Sequence, residues 1–327
     1  MANQSKIPIL AIVGATASGK SALSMELAKK LNGEIVSCDS MQIYRGMDIG
    51  TAKPTAEDLA KVPHHLIDVA DAHESFSCAD YVTLAAQAIE DIHGRGKLPI
   101  ICGGTGLYLD SLLRGSGFEE AASVDPALRQ SLLDYAKANG NHALHERLRA
   151  VDPESADATH ENNVKRVVRA LEIYETTGLT KTELDRRSRT FVSPYRAAVV
   201  GLRYGDRDLL YRRIDRRVDE MIAEGLWEET ARLESEGVFT ANSTAAQAIG
   251  YKELLRHLRG EQSLDGAIDD LKQATRRYAK RQITWFGAKE YVRWIDVDEN
   301  STLCGLTEQA LAIAANVLQA DTGGGST

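Results

Sequence analysis

Apolar positions along the chain form short runs, separated by longer stretches in which they recur every three or four residues. The runs IPILAIV (7–13), GEIVS (33–37), LPIICGG (98–104), AAVVGL (197–202) and YVRWIDV (291–297) have the length and composition of buried strands. Helical spacing follows the first in SALSMELAKKL (21–31) and recurs in ADYVTLAAQAIEDIHGRG (79–96), where Gly94 and Gly96 supply a stop. Strands alternating with helices predict an α/β fold, a parallel sheet flanked by crossover helices.

From Gly117 to Ser193 the pattern is helical with no convincing strand. Asp125 as cap, Pro126 at the first helical position and Gly140 as stop frame ALRQSLLDYAKANG. The TKTE box, Thr180 to Glu183, opens LDRRSRT. This predicts an all-helical insertion, 117–193, in a discontinuous core of 1–116 and 194–320. The later core carries the long helical patterns 206–237 and 264–286, and 321–327 reads as a disordered tail.

No apolar stretch of the 327 residues approaches the roughly 20 needed to span a bilayer, and the start MANQSKIPIL lacks a secretory signal, so the sequence predicts a cytoplasmic protein with no membrane partner. No segment points to an obligatory protein partner. Cys38, Cys78, Cys102 and Cys304 are too dispersed for a zinc or dithiol site. The net charge of −8 argues against indiscriminate nucleic-acid binding, yet LKQATRRYAKRQ (271–282) contains no acidic residue. An acidic protein can own a basic groove.

GATASGKS, Gly14 to Ser21, has P-loop spacing between a strand and a helix, and so predicts a polyphosphate site resembling that of P-loop nucleotide triphosphatases. Loop amides and the helix N-terminus favour an anion, Lys20 reaches it, and Ser21 can hold Mg2+. A triphosphatase needs a further carboxylate at a strand end, but LPIICGGTG ends in Gly103, Gly104, Thr105 and Gly106. Asp39, beyond the second strand, can hold magnesium, act as a base or cap a turn. The three glycines around Thr105 suggest close approach to a ligand. His64 and His65 read as structural rather than as metal ligands, and Trp285 with Phe286 as core rather than as a surface for stacking on a base, the alternative they leave open.

GATASGKS, SCDSMQIYRGMDIGTAKP, VPHHLIDV, GGTGLYLDSLL, QAIGYKEL and RRYAKRQITWF, in this order, resemble the tRNA dimethylallyltransferase family, with Ala15 departing from a frequent proline. The resemblance implies transfer of a dimethylallyl group from dimethylallyl diphosphate to the exocyclic amine of the adenine 3′-adjacent to the anticodon (position 37), releasing diphosphate. Gly14, Ala15, Thr16, Ala17, Ser18, Gly19, Lys20 and Ser21 would hold the diphosphate, aided by Mg2+ and by Arg217, or Arg213 one turn away. Asp39 would take the proton from the amine, with Thr105 as its partner.

For the tRNA anticodon stem-loop, the resemblance implicates Asp39, Ser40, Met41, Gln42 and Thr105 around the flipped base. It adds Asn163, Val164, Lys165, Arg166 and Val167 on the insertion, Gln247, Ala248, Ile249, Gly250, Tyr251 and Lys252, and Lys280, Arg281 and Gln282. The absence of a zinc-finger cysteine pattern suits a bacterial-type enzyme. A prenyltransferase for free adenine nucleotides would need neither the insertion nor the basic helices. A P-loop small-molecule kinase would consume ATP without RNA, and a non-catalytic RNA-binding protein would be indifferent to loss of Asp39.

Overall fold

The computed structural model describes residues 6–115, 125–190, 192–240 and 243–318. They fall into two compact units that divide between Leu113 and Arg114 and between Pro194 and Tyr195. Among the described residues no helix is long and apolar enough to cross a membrane. The tail 321–327 lies outside them.

The first unit is built on six parallel strands, β1 (Ile7–Gly14), β2 (Gly33–Ser37), β3 (His64–His65), β4 (Leu98–Gly103), β5 (Tyr195–Tyr204) and β6 (Val292–Val297), in the order β3-β2-β4-β1-β5-β6. All five expected strands are present. Alternate residues of β1 serve opposite cores, as a period of two requires. Ile9, Ala11 and Val13 pack with Tyr81, Ile89, Leu109 and Phe286, from α3 (Cys78–Gly94), α4 (Gly106–Arg114) and α13 (Leu264–Gly287). Leu10 and Ile12 pack with Leu23, Leu27 and Ala310, from α1 (Lys20–Lys30) and α14 (Leu303–Leu318).

The two-residue β3 has no apolar run to announce it, and charge explains its place. Buried Glu34 of β2 accepts from Arg95 at 2.6 and 2.8 Å and from Lys97 at 2.7 Å, and pairs with His65 at 2.7 Å. The Arg95 guanidinium, with Lys97 and His65, holds this carboxyl far below the usual range despite its burial. His64 Nδ1 meets the Val62 carbonyl at 2.8 Å. Both histidines are structural here, and no metal-ligand cluster occurs among the described residues.

A third core joins the loops between β2 and α3, which flank α2 (Ala56–Lys61) but take no buried residue from it, to the later helices. Ile43, Tyr44 and Met47 pack with residues of α10 (Arg207–Ala223), α11 (Leu226–Ser235), α12 (Tyr251–Leu258) and α13. The continuous helical pattern over 206–237 breaks into α10 and α11 at Gly225, whose φ of 104° no L-residue adopts comfortably. Phe286 is core as expected, but Trp285 is 38% exposed.

The second unit packs α5 (Pro126–Asn139), α6 (Asn141–Val151), α7 (Pro153–Asp157) and α8 (Val164–Thr177) around Leu132, Leu144, Leu148, Val167 and Leu171, and α9 (Lys181–Thr190) is tied to the start of α7 through Thr182 and Asp152. Asp125 caps α5 through the Ala127 amide, and Thr180 and Glu183 exchange the bonds of a capping box. Gly117 to Val124 lies outside the described residues.

Candidate functional site

The loop joining β1 to α1 is held by its carbonyls. Lys20 Nζ donates to Ala15 O at 2.6 Å, Arg213 Nε to Ala17 O at 3.1 Å and the Tyr204 hydroxyl to Ser18 O at 3.2 Å. Because carbonyl and following N–H point opposite ways across a peptide plane, the Gly19 amide faces away from Tyr204. Gly19 gives α1 no side-chain cap, so the amides of Lys20 and Ser21 begin the helix without an intrahelical partner. These amides, aligned with the helix dipole, form an anion site.

Two members of the expected cradle contribute differently. The Thr16 amide is taken by Gln282 Oε1 at 2.8 Å and that of Ser18 by Ala15 O at 3.3 Å, so neither is available to an anion. Gly14 ends β1 where a Cβ would lie 2.9 Å from the Leu202 carbonyl, and buried Ala15 packs with Leu210, Ile214 and Ala279. Ala17 keeps the loop tight at φ 59°.

Lys20 and exposed Ser21 share a recess of about 270 Å³ with Arg213, Arg216, Arg217 and Glu220 of α10. Burial lowers the Lys20 ammonium to about 8, Arg217 adds to the drop, and Cys102 and Asp39 oppose it. Burial also lowers Arg217, with Asp39, Glu220 and Glu224 favouring its charge. Two desolvated cations beside a helix N-terminus favour an anion in the recess. Arg213 is committed to the Ala17 carbonyl and lies 5.9 Å from the Tyr204 ring centroid, so Arg217 is the freer of the two.

Arg217 also lines a cavity of about 250 Å³ on its other side. There it meets Asp39, Ser40 and Thr16, while Ile214, Val218, Met221, Leu226 and Leu271 form an apolar wall. Asp39 follows Cys38 at the end of β2, and its loop is pinned on both flanks. The Thr105 amide donates to Cys38 O at 3.1 Å, the Thr105 hydroxyl accepts the Ser40 amide at 3.1 Å, and Asp39 Oδ1 accepts the Met41 amide at 2.9 Å. The turn-capping role is real, and it occupies one of two carboxylate oxygens.

Thr105 is not among the residues lining that cavity; its hydroxyl holds Ser40 and bonds to Tyr278. It holds the Asp39 loop from just behind Tyr278, which does line the cavity. The glycines around it also serve packing. A Cβ on Gly103 would lie 2.1 Å from the Cys38 carbonyl oxygen, and one on Gly104 2.0 Å from Gln282 Nε2. Gln282, 5% exposed, thereby ties the cradle at Thr16 to Gly104 just past β4, where it donates to the carbonyl at 3.1 Å. Gln282→Leu strands both groups and is expected to cost about 2–4 kcal/mol, measured by denaturant unfolding.

Of the residues expected around a nucleobase, Asp39, Ser40, Met41, Gln247, Ala248, Ile249, Gly250, Lys252 and Arg281 line the cavity. Gln42 does not. Its amide accepts from Ser37 Oγ and donates to the Thr51 and Ala52 carbonyls, fixing the loop that forms one cavity wall. Tyr251 is fully buried, its hydroxyl donating to Glu229 at 2.6 Å, so it cannot reach RNA. Glu229 in turn accepts the Asp48, Ile49 and Gly50 amides and holds the same wall. Gln282 is an internal brace, and Lys280 is exposed on α13.

In the second unit, Asn163, Lys165 and Arg166 are exposed at the start of α8, Val164 is half-buried, and Val167 lies in that unit's core with no surface to offer. Sequence reasoning missed Met221, Thr275 and Tyr278, which also line the cavity. The signal was available in part: Met221 is one turn beyond Arg217, and Tyr278 one turn before Arg281.

Residues 42–289 match the family model described as IPP transferase. A tRNA dimethylallyltransferase of Bacillus subtilis (strain 168) is 50% identical over 296 residues, which cover 90% of this chain and 92% of that one. The crystal structure of the full-length tRNA isopentenylpyrophosphate transferase from Bacillus halodurans superposes with a TM-score of 0.70 at 44% identity, covering 96% of this chain and 99% of that one. A structure of a eukaryotic dimethylallyltransferase acting on tRNA gives a TM-score of 0.83 at 31% identity, covering 96% and 80%. Matched along three quarters of its length, and by relatives near half identity over nine tenths of it, this chain belongs to the IPP transferase family.

Proposed function

We propose that this chain transfers the dimethylallyl group of dimethylallyl diphosphate to the exocyclic amine of the adenine 3′-adjacent to the anticodon of tRNA, releasing diphosphate. The observation that carries this reading is the position of Arg217, which faces the phosphate recess on one side and the Asp39 cavity on the other. Diphosphate at the cradle directs its prenyl tail toward the apolar wall, and an adenine entering beside Asp39 meets it there. Breaking the allylic C–O bond puts positive charge on carbon and negative charge on diphosphate. Lys20, Arg217 and the amides of Gly19, Lys20 and Ser21 stabilise the latter. Asp39 takes the proton from the amine as the C–N bond forms.

Magnesium suits this donor set. Mg2+ takes few protein ligands beside phosphate oxygens and water, and exposed Ser21 offers one hydroxyl in the recess. When bound, the ion neutralises charge on the leaving diphosphate. The adenine must leave its stack to reach the cavity, and Lys252, Lys280 and Arg281 on the first unit, with Lys165 and Arg166 on the second, supply cations for the RNA backbone.

Incubation with Mg2+, labelled dimethylallyl diphosphate and unmodified tRNA, followed by digestion, should yield prenylated adenosine. ATP turnover without RNA, or transfer to free adenine nucleotides alone, would overturn the reading. The Lys20 environment adds a pH dependence. Bound diphosphate favours charged Lys20, whereas the free site loses that proton as pH rises through about 8. Through Lys20, affinity for dimethylallyl diphosphate therefore falls as pH rises above about 8, with proton uptake on binding there measurable by calorimetry in buffers of different ionisation enthalpy.

A further inference from the structure

Trp285 belongs to the RRYAKRQITWF segment but has no part in the cavity just described. Its helical neighbours Gln282 and Phe286 are buried, whereas Trp285 is 38% exposed. The indole is nevertheless fixed. Its Cδ1–Nε1 edge rests on the backbone of Gly106, where a Cβ would lie 2.2 Å away, and Lys289 Nζ sits 5.1 Å from the ring centroid. Buried Asp110 accepts from that ammonium at 2.6 Å and is bonded by Tyr291 as well. Leu107, 49% exposed, follows Gly106 at the start of α4.

Tyr278, Arg281, Trp285 and Lys289 recur at intervals of three and four residues, so they form one stripe along α13 and just past its end. Arg281 lies over the Tyr278 ring as Lys289 lies over that of Trp285. The first two members line the cavity with Asp39, and the other two lie outside it. Trp285 is about 10 Å from Tyr278 along the helix axis. That is about three nucleotide steps at 3.4 Å each. Exposed Arg277, Lys280 and Arg281 supply cations over the same stretch, so a strand leaving the cavity along α13 meets alternating charge and aromatic surface.

We propose that the exposed face of Trp285 is a stacking platform for a nucleobase of the RNA loop within three nucleotides of the flipped adenine. The proposal rests on the RNA-prenylation reading. Flipping leaves the neighbouring bases partly unstacked, and a rigid indole returns the lost stacking without ordering a mobile side chain.

The test uses an anticodon hairpin and a series of hairpins each abasic at one loop position. Trp285→Ala should raise the hairpin Kd roughly 5- to 100-fold and Trp285→Phe should recover most of it. Binding of dimethylallyl diphosphate should be unchanged. One abasic position should weaken the wild type by a similar factor and have no further effect on Trp285→Ala. In a Trp227→Phe/Trp294→Phe protein, the intact hairpin should quench the remaining Trp285 fluorescence and that abasic hairpin should not. This arm keeps Trp285 in place and stands even if the alanine variant misfolds. Additive effects at every loop position, or no quenching by a bound hairpin, would overturn the proposal. Hairpin binding with quenching but without prenyl transfer would overturn the functional reading instead.

Discussion

Replacing Asp39 with alanine is expected to lower kcat for prenyl transfer by about 10²- to 10⁴-fold while leaving tRNA affinity within about threefold. An exocyclic amine is a weak nucleophile, and without a base its proton must leave unaided as the C–N bond forms. Asp39 also holds the Met41 amide, so alanine alone would confound two roles. Asp39→Asn separates them, because its carboxamide oxygen still accepts from Met41 but removes no proton. Single-turnover transfer and filter binding on both variants give the answer. If Asn restored transfer, Asp39 would be a turn cap and the base would have to be sought elsewhere.

Arg217→Ala should reduce kcat/KM by about 10²- to 10³-fold, with Arg217→Lys recovering part of the loss. The guanidinium is the cation that lines both the recess beside Lys20 and the Asp39 cavity, so its removal leaves the developing diphosphate charge to Lys20 and the loop amides. Arg213→Ala makes the informative contrast. That side chain already serves the Ala17 carbonyl and the Tyr204 ring, so its loss should act through the loop and cost about tenfold or less. Steady-state kinetics in dimethylallyl diphosphate, with tRNA saturating, distinguish the two arginines. A larger loss at Arg213 would reverse their assignment.

Several features could be read without coordinates because each depends on neighbours in the chain. The strands β1, β2, β4, β5 and β6 follow from short, largely apolar runs, and the cap of α5 and the box at Thr180 follow from local hydrogen-bonding chemistry. The anion loop is equally local, since Gly14, Gly19 and Lys20 act through backbone conformation and one short reach. Strand β3 escaped this reading because its reason, the charge cluster on Glu34, joins His65 to Arg95 and Lys97, far apart in the chain.

The site divides along the same line. Sequence by itself determined the α/β alternation, a glycine loop opening a helix N-terminus and an aspartate beyond the second strand. Only the tertiary structure decided what faces what. It assigned Thr105 to the Asp39 loop, spent Gln42, Tyr251, Gln282 and the Thr16 amide on internal bonds, and gave the GGTG glycines to Cys38, Gln282 and Trp285. It also brought Arg217 between recess and cavity and left Trp285 on the surface. Periodicity tells which positions leave water, but a buried polar group is satisfied by whichever partner packing delivers, and that partner is commonly remote in the chain.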